Sequence, residues 1–192
     1  RGIPVAGGAG DNAAAAIGLG VVKPGQAFVS LGTSGVVFTP TNSFRPAPDT
    51  AVHAFAHALP DLWHQMGVIL AATDALNWLG GLLGEDPGDL AGRIEQAKPP
   101  KGSVFLPYLG GERTPLNNAA IRGGFLGLGF ETDREIATRG VMDGVAFALC
   151  DCLDALAATG TKIDRLLATG GGARSRAWLE TIATISGIPV GL

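Results

Sequence analysis

Ile163-Asp164-Arg165-Leu166-Leu167-Ala168 runs into Thr169-Gly170-Gly171-Gly172-Ala173-Arg174-Ser175, and residues 175–185 follow with helical apolar spacing. This stretch reads as a buried strand, a bare-glycine turn and an amphipathic helix. A strand that passes to a helix through glycines lets a ligand approach the backbone closely, and the helix N-terminus favours anionic or polar ligand groups. The spacing is not that of a dinucleotide fingerprint, and no Walker A sequence occurs in the chain, so Rossmann and P-loop readings lose support.

Three further glycine-rich segments precede this one in a fixed order. They are Gly7-Gly8-Ala9-Gly10-Asp11-Asn12, Ser30-Leu31-Gly32-Thr33-Ser34-Gly35 and Leu106-Pro107-Tyr108-Leu109-Gly110-Gly111-Glu112-Arg113-Thr114-Pro115. Residues 3–6 read as a short strand, with Asp11 at the N-cap of an alanine-rich helix ended by Gly18 and Gly20. Residues 27–31 and 36–39 read as a hairpin closed by Gly32-Thr33-Ser34-Gly35. Residues 50–59 and 62–66 alternate across a turn at Pro60-Asp61, residues 67–83 and 89–97 have helical spacing, and 104–106 form a buried strand. A capping-box-like start at Thr132-Asp133-Arg134-Glu135 opens a helix to about residue 158. Strands followed by helices through glycine turns argue for an α/β layered domain.

The bulk properties exclude several classes. Apolar residues make up 46% of the 192, enough for a packed core and against disorder. The net charge is −3 without a basic run, so nucleic acid has no electrostatic footprint here. Apolar stretches are broken by Asp, Arg or Gly before they reach the length of a membrane span, and no signal-peptide pattern opens the chain. The chain begins at Arg1 without Met and stops at Gly187-Ile188-Pro189-Val190-Gly191-Leu192 as a strand begins, which reads as a piece of a longer protein. Cys150 and Cys152, two apart on a helix, point about 200° from each other and read as buried free thiols of a cytoplasmic protein.

Asp11, at a strand-to-helix junction, suits the acceptance of a hydroxyl proton during phosphoryl transfer, and equally suits an ordinary N-cap. Gly32-Thr33-Ser34-Gly35 can wrap a phosphate with N–H and O–H groups or be a plain β-turn. His53, His57 and His64 invite a zinc reading, but the local pattern is strand-like and no Glu accompanies them, so they are read as structural or surface histidines. Trp63 and Trp78 read as core or ligand-wall aromatics. Glu112 and Arg113 sit in a loop, paired with each other or with a neighbouring domain.

Taken in order, the four segments resemble the C-terminal domain of the FGGY carbohydrate kinases over nearly all 192 residues. The resemblance implies one nucleotide-binding domain over residues 1–192, of actin-like, ribonuclease-H-like α/β fold with a β-hairpin and helix insertion. It implies that a sugar-binding domain precedes Arg1 and that the cleft between the two holds Mg²⁺, ATP and the sugar. Asp11 would be the general base and Asn12 would flank the sugar. Gly32 and Thr33 would meet the transferred phosphate, Gly171, Gly172 and Ser175 the adenosine, and Asn77 another nucleotide-side position. No residue is assigned as a metal ligand. The expected acceptor is a ketopentose, D-xylulose first, with ribulose, gluconate or glycerol as alternatives. A non-kinase actin-like ATP-binding module is the rival from another class, and a homodimer is kept open. The family's two aspartates in the stretch after Thr114-Pro115 are replaced here by Asn118 and Ala120.

Overall fold

The computed structural model describes residues 2–5, 7–94 and 103–192. A six-stranded mixed sheet forms its centre, built from β1 (Gly25–Leu31), β2 (Gly35–Thr41), β3 (His53–Ala56), β4 (Trp63–Ile69), β7 (Ile163–Thr169) and β8 (Val190–Gly191), in the order β3-β4-β2-β1-β7-β8. β1, β2, β4 and β3 pair antiparallel, whereas β7 lies parallel to β1 and β8 parallel to β7. β5 (Val104–Leu106) and β6 (Gly124–Leu126) make a separate two-stranded ribbon.

Strand alternation divides the core between the two sheet faces. Phe28, Val36, Phe38 and Val68 face α1 (Asp11–Leu19), which buries Ala16 against them. Val29, Leu31, Val37 and Ile69 face α2 (Thr73–Leu83), α3 (Pro87–Ile94), α4 (Arg134–Ala158) and α5 (Arg176–Ser186) in the larger core. α4 runs about 37 Å at 1.5 Å per residue and is the axle of that layer. Asp133 caps it by accepting the Ile136 N–H at 2.9 Å. Two glycine contacts set its distance from its neighbours. A Cβ on Gly144 would lie 2.2 Å from the Phe105 carbonyl oxygen, and a Cβ on Gly67 would lie 2.6 Å from the Cβ of Cys152.

Several expectations are corrected. Residues 3–5 form no strand; Ile3 and Val5 are 85% and 94% exposed and no described strand pairs with them (Ala6 lies outside the described residues). The N-cap of α1 is Gly10, not Asp11, because the first intrahelical bond runs from Ala14 N–H to the Gly10 carbonyl. Residues 67–69 are strand, and α2 starts only at Thr73, where the sheet edge releases the chain. α3 begins at Pro87, two residues early, since proline is favoured in a first helical turn; its expected end at 95–97 lies outside the described residues. The triple glycine is not a simple turn but opens a 3₁₀ turn over Gly171–Arg174. Of the two thiols Cys152 is buried and Cys150 only half-buried.

Gly144→Ala is expected to destabilise the fold by about 2 kcal/mol, because the helix cannot withdraw from β5 without opening the core. Gly81→Ala, on the open face of α2 where an added Cβ meets nothing within 4 Å, is expected to stabilise by up to about 1 kcal/mol. Urea unfolding midpoints of the two variants should therefore move in opposite directions; a stabilised Gly144→Ala would refute the packing argument.

Candidate active site

The parallel register of β1 and β7 sets Ser30 beside Thr169, so both strands end together and both following loops leave from one point. The first loop, Gly32-Thr33-Ser34, docks on the start of α2. The Gly32 carbonyl accepts from the Thr73 N–H at 2.9 Å and the Thr73 hydroxyl at 2.8 Å, and the Thr33 carbonyl accepts from the Ala72 N–H at 2.9 Å. These bonds satisfy helix-start donors for which Ala72 has no side chain to offer. The second loop crosses the first: Gly170, at φ +89°, lies so close that a Cβ would stand 2.6 Å from the Leu31 carbonyl oxygen. At Gly172 a Cβ would stand 2.8 Å from the Leu31 Cβ and 3.1 Å from the Trp178 ring. Gly171 differs, since an added Cβ there meets nothing within 4 Å. Ser175 then caps α5 by accepting the Trp178 N–H at 3.3 Å.

These loops, with α2 and α3, wall a pocket of about 370 Å³ that brings together Asn77, Gly171, Gly172 and Ser175, four of the residues expected to hold a nucleotide. Arg174, from the quoted 169–175 segment, joins them, as do Thr73 and Trp178, which the sequence reading does not anticipate. Trp178 is fixed there by its indole N–H, which donates to the Met142 carbonyl at 2.9 Å. Gly32 and Thr33 adjoin this pocket through their bonds to Thr73.

Asp11 and Asn12 are not part of that pocket. They line a second one, of about 540 Å³, on the α1 face of the sheet with Phe55, His57, His64 and Met66. The Asp11 Oδ1 accepts from the Asn12 N–H at 2.8 Å and from its side-chain amide at 3.2 Å, and residue 11 remains exposed. The histidines read as structural or surface groups thus stand in the pocket of the expected base. His57 and His64 are 7% and 5% exposed. Burial lowers the His53 and His57 pKa, and takes that of His64 down to about 4, with His57 as the second cause. The His53-x-x-x-His57 pair makes no metal site; among the described residues no three His, Cys, Asp or Glu side chains converge.

In the middle segment Glu112 and Thr114 are buried, whereas Gly110 and Arg113 are exposed. The Glu112 carboxylate (3% exposed) does not pair with the Arg113 guanidinium but accepts the N–H groups of Leu70 at 2.9 Å and Arg113 at 2.7 Å, while its Oε2 has no partner. Burial pushes this carboxyl up, against the pull of those N–H groups. The Thr114 hydroxyl accepts from the Val68 N–H at 3.0 Å and donates to the Ala51 carbonyl at 3.1 Å. Glu112 and Thr114 thereby hold the end of β4, from which Leu70 leads into α2. Asn118 accepts the Ala120 and Ile121 N–H groups at 2.9 and 3.2 Å, a turn whose bonds an aspartate would make equally well. Trp78 stacks on Phe105 at 5.6 Å as a core aromatic, and Trp63 packs on Phe44.

Comparison with known proteins accords with this arrangement. Residues 27–192 match the profile of the FGGY family of carbohydrate kinases, C-terminal domain. The xylulose kinase of Escherichia coli K12 is 44% identical over 187 residues, which cover 96% of this chain and 39% of that protein. A crystal structure of a xylulose kinase from Brucella ovis superposes with a TM-score of 0.94 at 56% identity, covering 96% of this chain and 38% of that one. A Plasmodium falciparum glycerol kinase shares the fold at a TM-score of 0.85 and 20% identity, over 94% of this chain and 37% of that one. The fold is therefore the actin-like ATPase fold of the sugar kinases, as expected. The chain spans about two fifths of the length of the curated relatives it matches.

One pH dependence follows from the buried imidazole. His64 titrates near 6.5 when unfolded and at about 4 when folded, so its contribution is complete above pH 6.5 and is lost as pH falls toward 4. At about 1.4 kcal/mol per unit this amounts to roughly 3 kcal/mol. Urea midpoints compared between wild type and His64→Gln should show a shallower loss in the variant between pH 6.5 and 4. The comparison separates this ring from Glu112 and Asp143, whose raised values act in the opposite direction. Parallel pH profiles would rule the assignment out.

Proposed function

The chain belongs to the FGGY family of carbohydrate kinases, and from that membership we propose that it is the nucleotide-side domain of a kinase that phosphorylates D-xylulose at its terminal hydroxyl. The observation that carries the nucleotide half is the gathering of Asn77, Gly171, Gly172 and Ser175 in one pocket beside the Gly32–Thr33 turn. Its residues fit an adenosine group. Gly171 leaves space that any side chain would fill, the Trp178 ring and the Leu76 side chain give apolar walls, and the Asn77 amide gives a polar edge. Bound Mg²⁺ and ATP supply the phosphoryl group and the charge that shields it. The Thr33 side chain and the turn's backbone would steady the phosphoryl oxygens.

Asp11 would orient the attacking hydroxyl and take its proton, with Asn12 beside it against the sugar. The carboxylate is exposed in its own pocket, which suits a group that must meet a substrate. Because the oxygen that loses its proton to Asp11 is the one that attacks phosphorus, the triphosphate would have to extend from the adenosine pocket past the Gly32–Thr33 turn to Asp11, and the cleft would have to close over both. We assign that closure to the remainder of the full-length protein, in which a preceding sugar-binding domain covers the cleft and excludes water. The xylulose kinase relatives favour D-xylulose over ribulose, gluconate and glycerol as acceptor. The match to the carbohydrate kinase family favours a kinase over an actin-like ATP-binding module without an acceptor.

In the full-length protein, Asp11→Asn should lower turnover by about 10²–10⁴-fold with the ATP affinity near that of wild type; unchanged turnover would remove Asp11 as the base. Gly171→Val should leave the melting temperature unchanged and raise the KM for ATP about tenfold, whereas an unchanged KM would place the nucleotide elsewhere. Phosphorylation assayed across xylulose, ribulose, gluconate and glycerol tests the acceptor, with D-xylulose giving the highest kcat/KM.

A further inference from the structure

The Asp11 pocket holds two imidazoles, and their surroundings set them apart. The His57 Nδ1 accepts the Leu59 N–H at 3.1 Å, so its ring proton sits on Nε2, and the Val21 carbonyl is the backbone group that acts on the ring. Its own N–H donates to the Leu62 carbonyl at 2.8 Å. His57 thus holds the turn between β3 and β4 together, a structural task, while its buried Nε2 has no hydrogen-bond partner.

His64 has no such task. It stacks on Phe38 at a centroid distance of 4.5 Å, and Phe38 stacks on Phe28 at 4.9 Å. In the sheet it sits between Pro40 and Phe55, so the ring is held from both sides. It is more than nine-tenths buried, lines the same pocket as Asp11 and Asn12, and its buried Nδ1 has no hydrogen-bond partner. The Ala56 carbonyl is the backbone group that acts on this ring. With its proton on Nε2, the neutral imidazole keeps the lone pair of the unpartnered Nδ1 free. The pocket then offers two hydrogen-bond acceptors, one charged at Asp11 and one uncharged at His64. Hydroxyl groups are donors, and a polyol carries them on adjacent carbons.

We propose that His64 is a specificity residue whose Nδ1 accepts a hydrogen bond from the sugar hydroxyl neighbouring the one that faces Asp11, so that the site selects polyols with adjacent hydroxyls. This rests on the reading of the Asp11 pocket as the acceptor site. A buried acceptor built for a hydroxyl discriminates strongly against an analogue that lacks it, because the acceptor is then left unpaired.

The test uses the full-length protein with D-xylulose and its 4-deoxy analogue, which lacks the hydroxyl next to the terminal one. Wild type should favour D-xylulose by about 10²-fold or more in kcat/KM. His64→Phe keeps the stack on Phe38 and removes both nitrogens. It should raise the KM for D-xylulose about tenfold, cut the discrimination by a similar factor and leave the KM for ATP unchanged. His64→Gln, which restores an amide oxygen, should regain part of the discrimination. Wild-type discrimination in His64→Phe overturns the proposal; should that variant not fold, His64→Leu is read in the same way. A wild-type protein that phosphorylates no sugar overturns the function reading and this inference with it, whereas wild-type turnover with unaltered discrimination in the variant overturns this inference alone.

Discussion

The backbone approach of Gly170 to the Leu31 carbonyl oxygen is the tightest constraint on the pocket lined by Asn77, Gly171 and Ser175. A Cβ at Gly170 would stand 2.6 Å from that oxygen, and φ is +89°, a region that side chains avoid. The contact exists because β1 and β7 run parallel and finish side by side. It brings the Gly32-Thr33-Ser34 turn and the Gly171–Arg174 turn together, and each turn then fixes a helix. The first supplies carbonyls to the start of α2; the second leads into the Ser175 cap of α5. The pocket between the two helices is thus a consequence of strand register and of three glycines, of which two serve packing and one leaves open space.

Much of this was legible in the sequence. The strand–glycine–helix order at 163–185, the hairpin around Gly32 and the long capped helix carry local signals, because turns, caps and apolar period are set by neighbouring residues. Asn77, Gly171, Gly172 and Ser175, which the resemblance put on the nucleotide side, line one pocket. What escaped the reading depends on distant partners. Thr73 and Trp178 become pocket residues only when α2 meets α5, and no local pattern marks that meeting. Glu112 looked like half of a surface ion pair, yet its carboxylate turns inward to cap the Leu70 N–H. Residues 3–5 have a strand's apolar character but no strand beside them. A strand-like pattern without an accompanying Glu marks His57 and His64 only as structural or surface groups; the pairing of β3 with β4 is what places them beside Asp11.

The domain separates two tasks by the thickness of one sheet. The face covered by α2, α3, α4 and α5 forms the pocket suited to a nucleotide, and the face covered by α1 carries the carboxylate and the buried imidazoles. Glu112 and Thr114 anchor the end of β4, which runs between these two faces.

A structure of the full-length protein with D-xylulose and a non-hydrolysable ATP analogue tests this most directly. The account predicts the adenosine between Asn77 and Gly171, the terminal phosphate at the Thr33 turn, and the terminal sugar hydroxyl within hydrogen-bond distance of the Asp11 carboxylate. A sugar bound out of reach of Asp11, with that carboxylate turned from the phosphate, would contradict it.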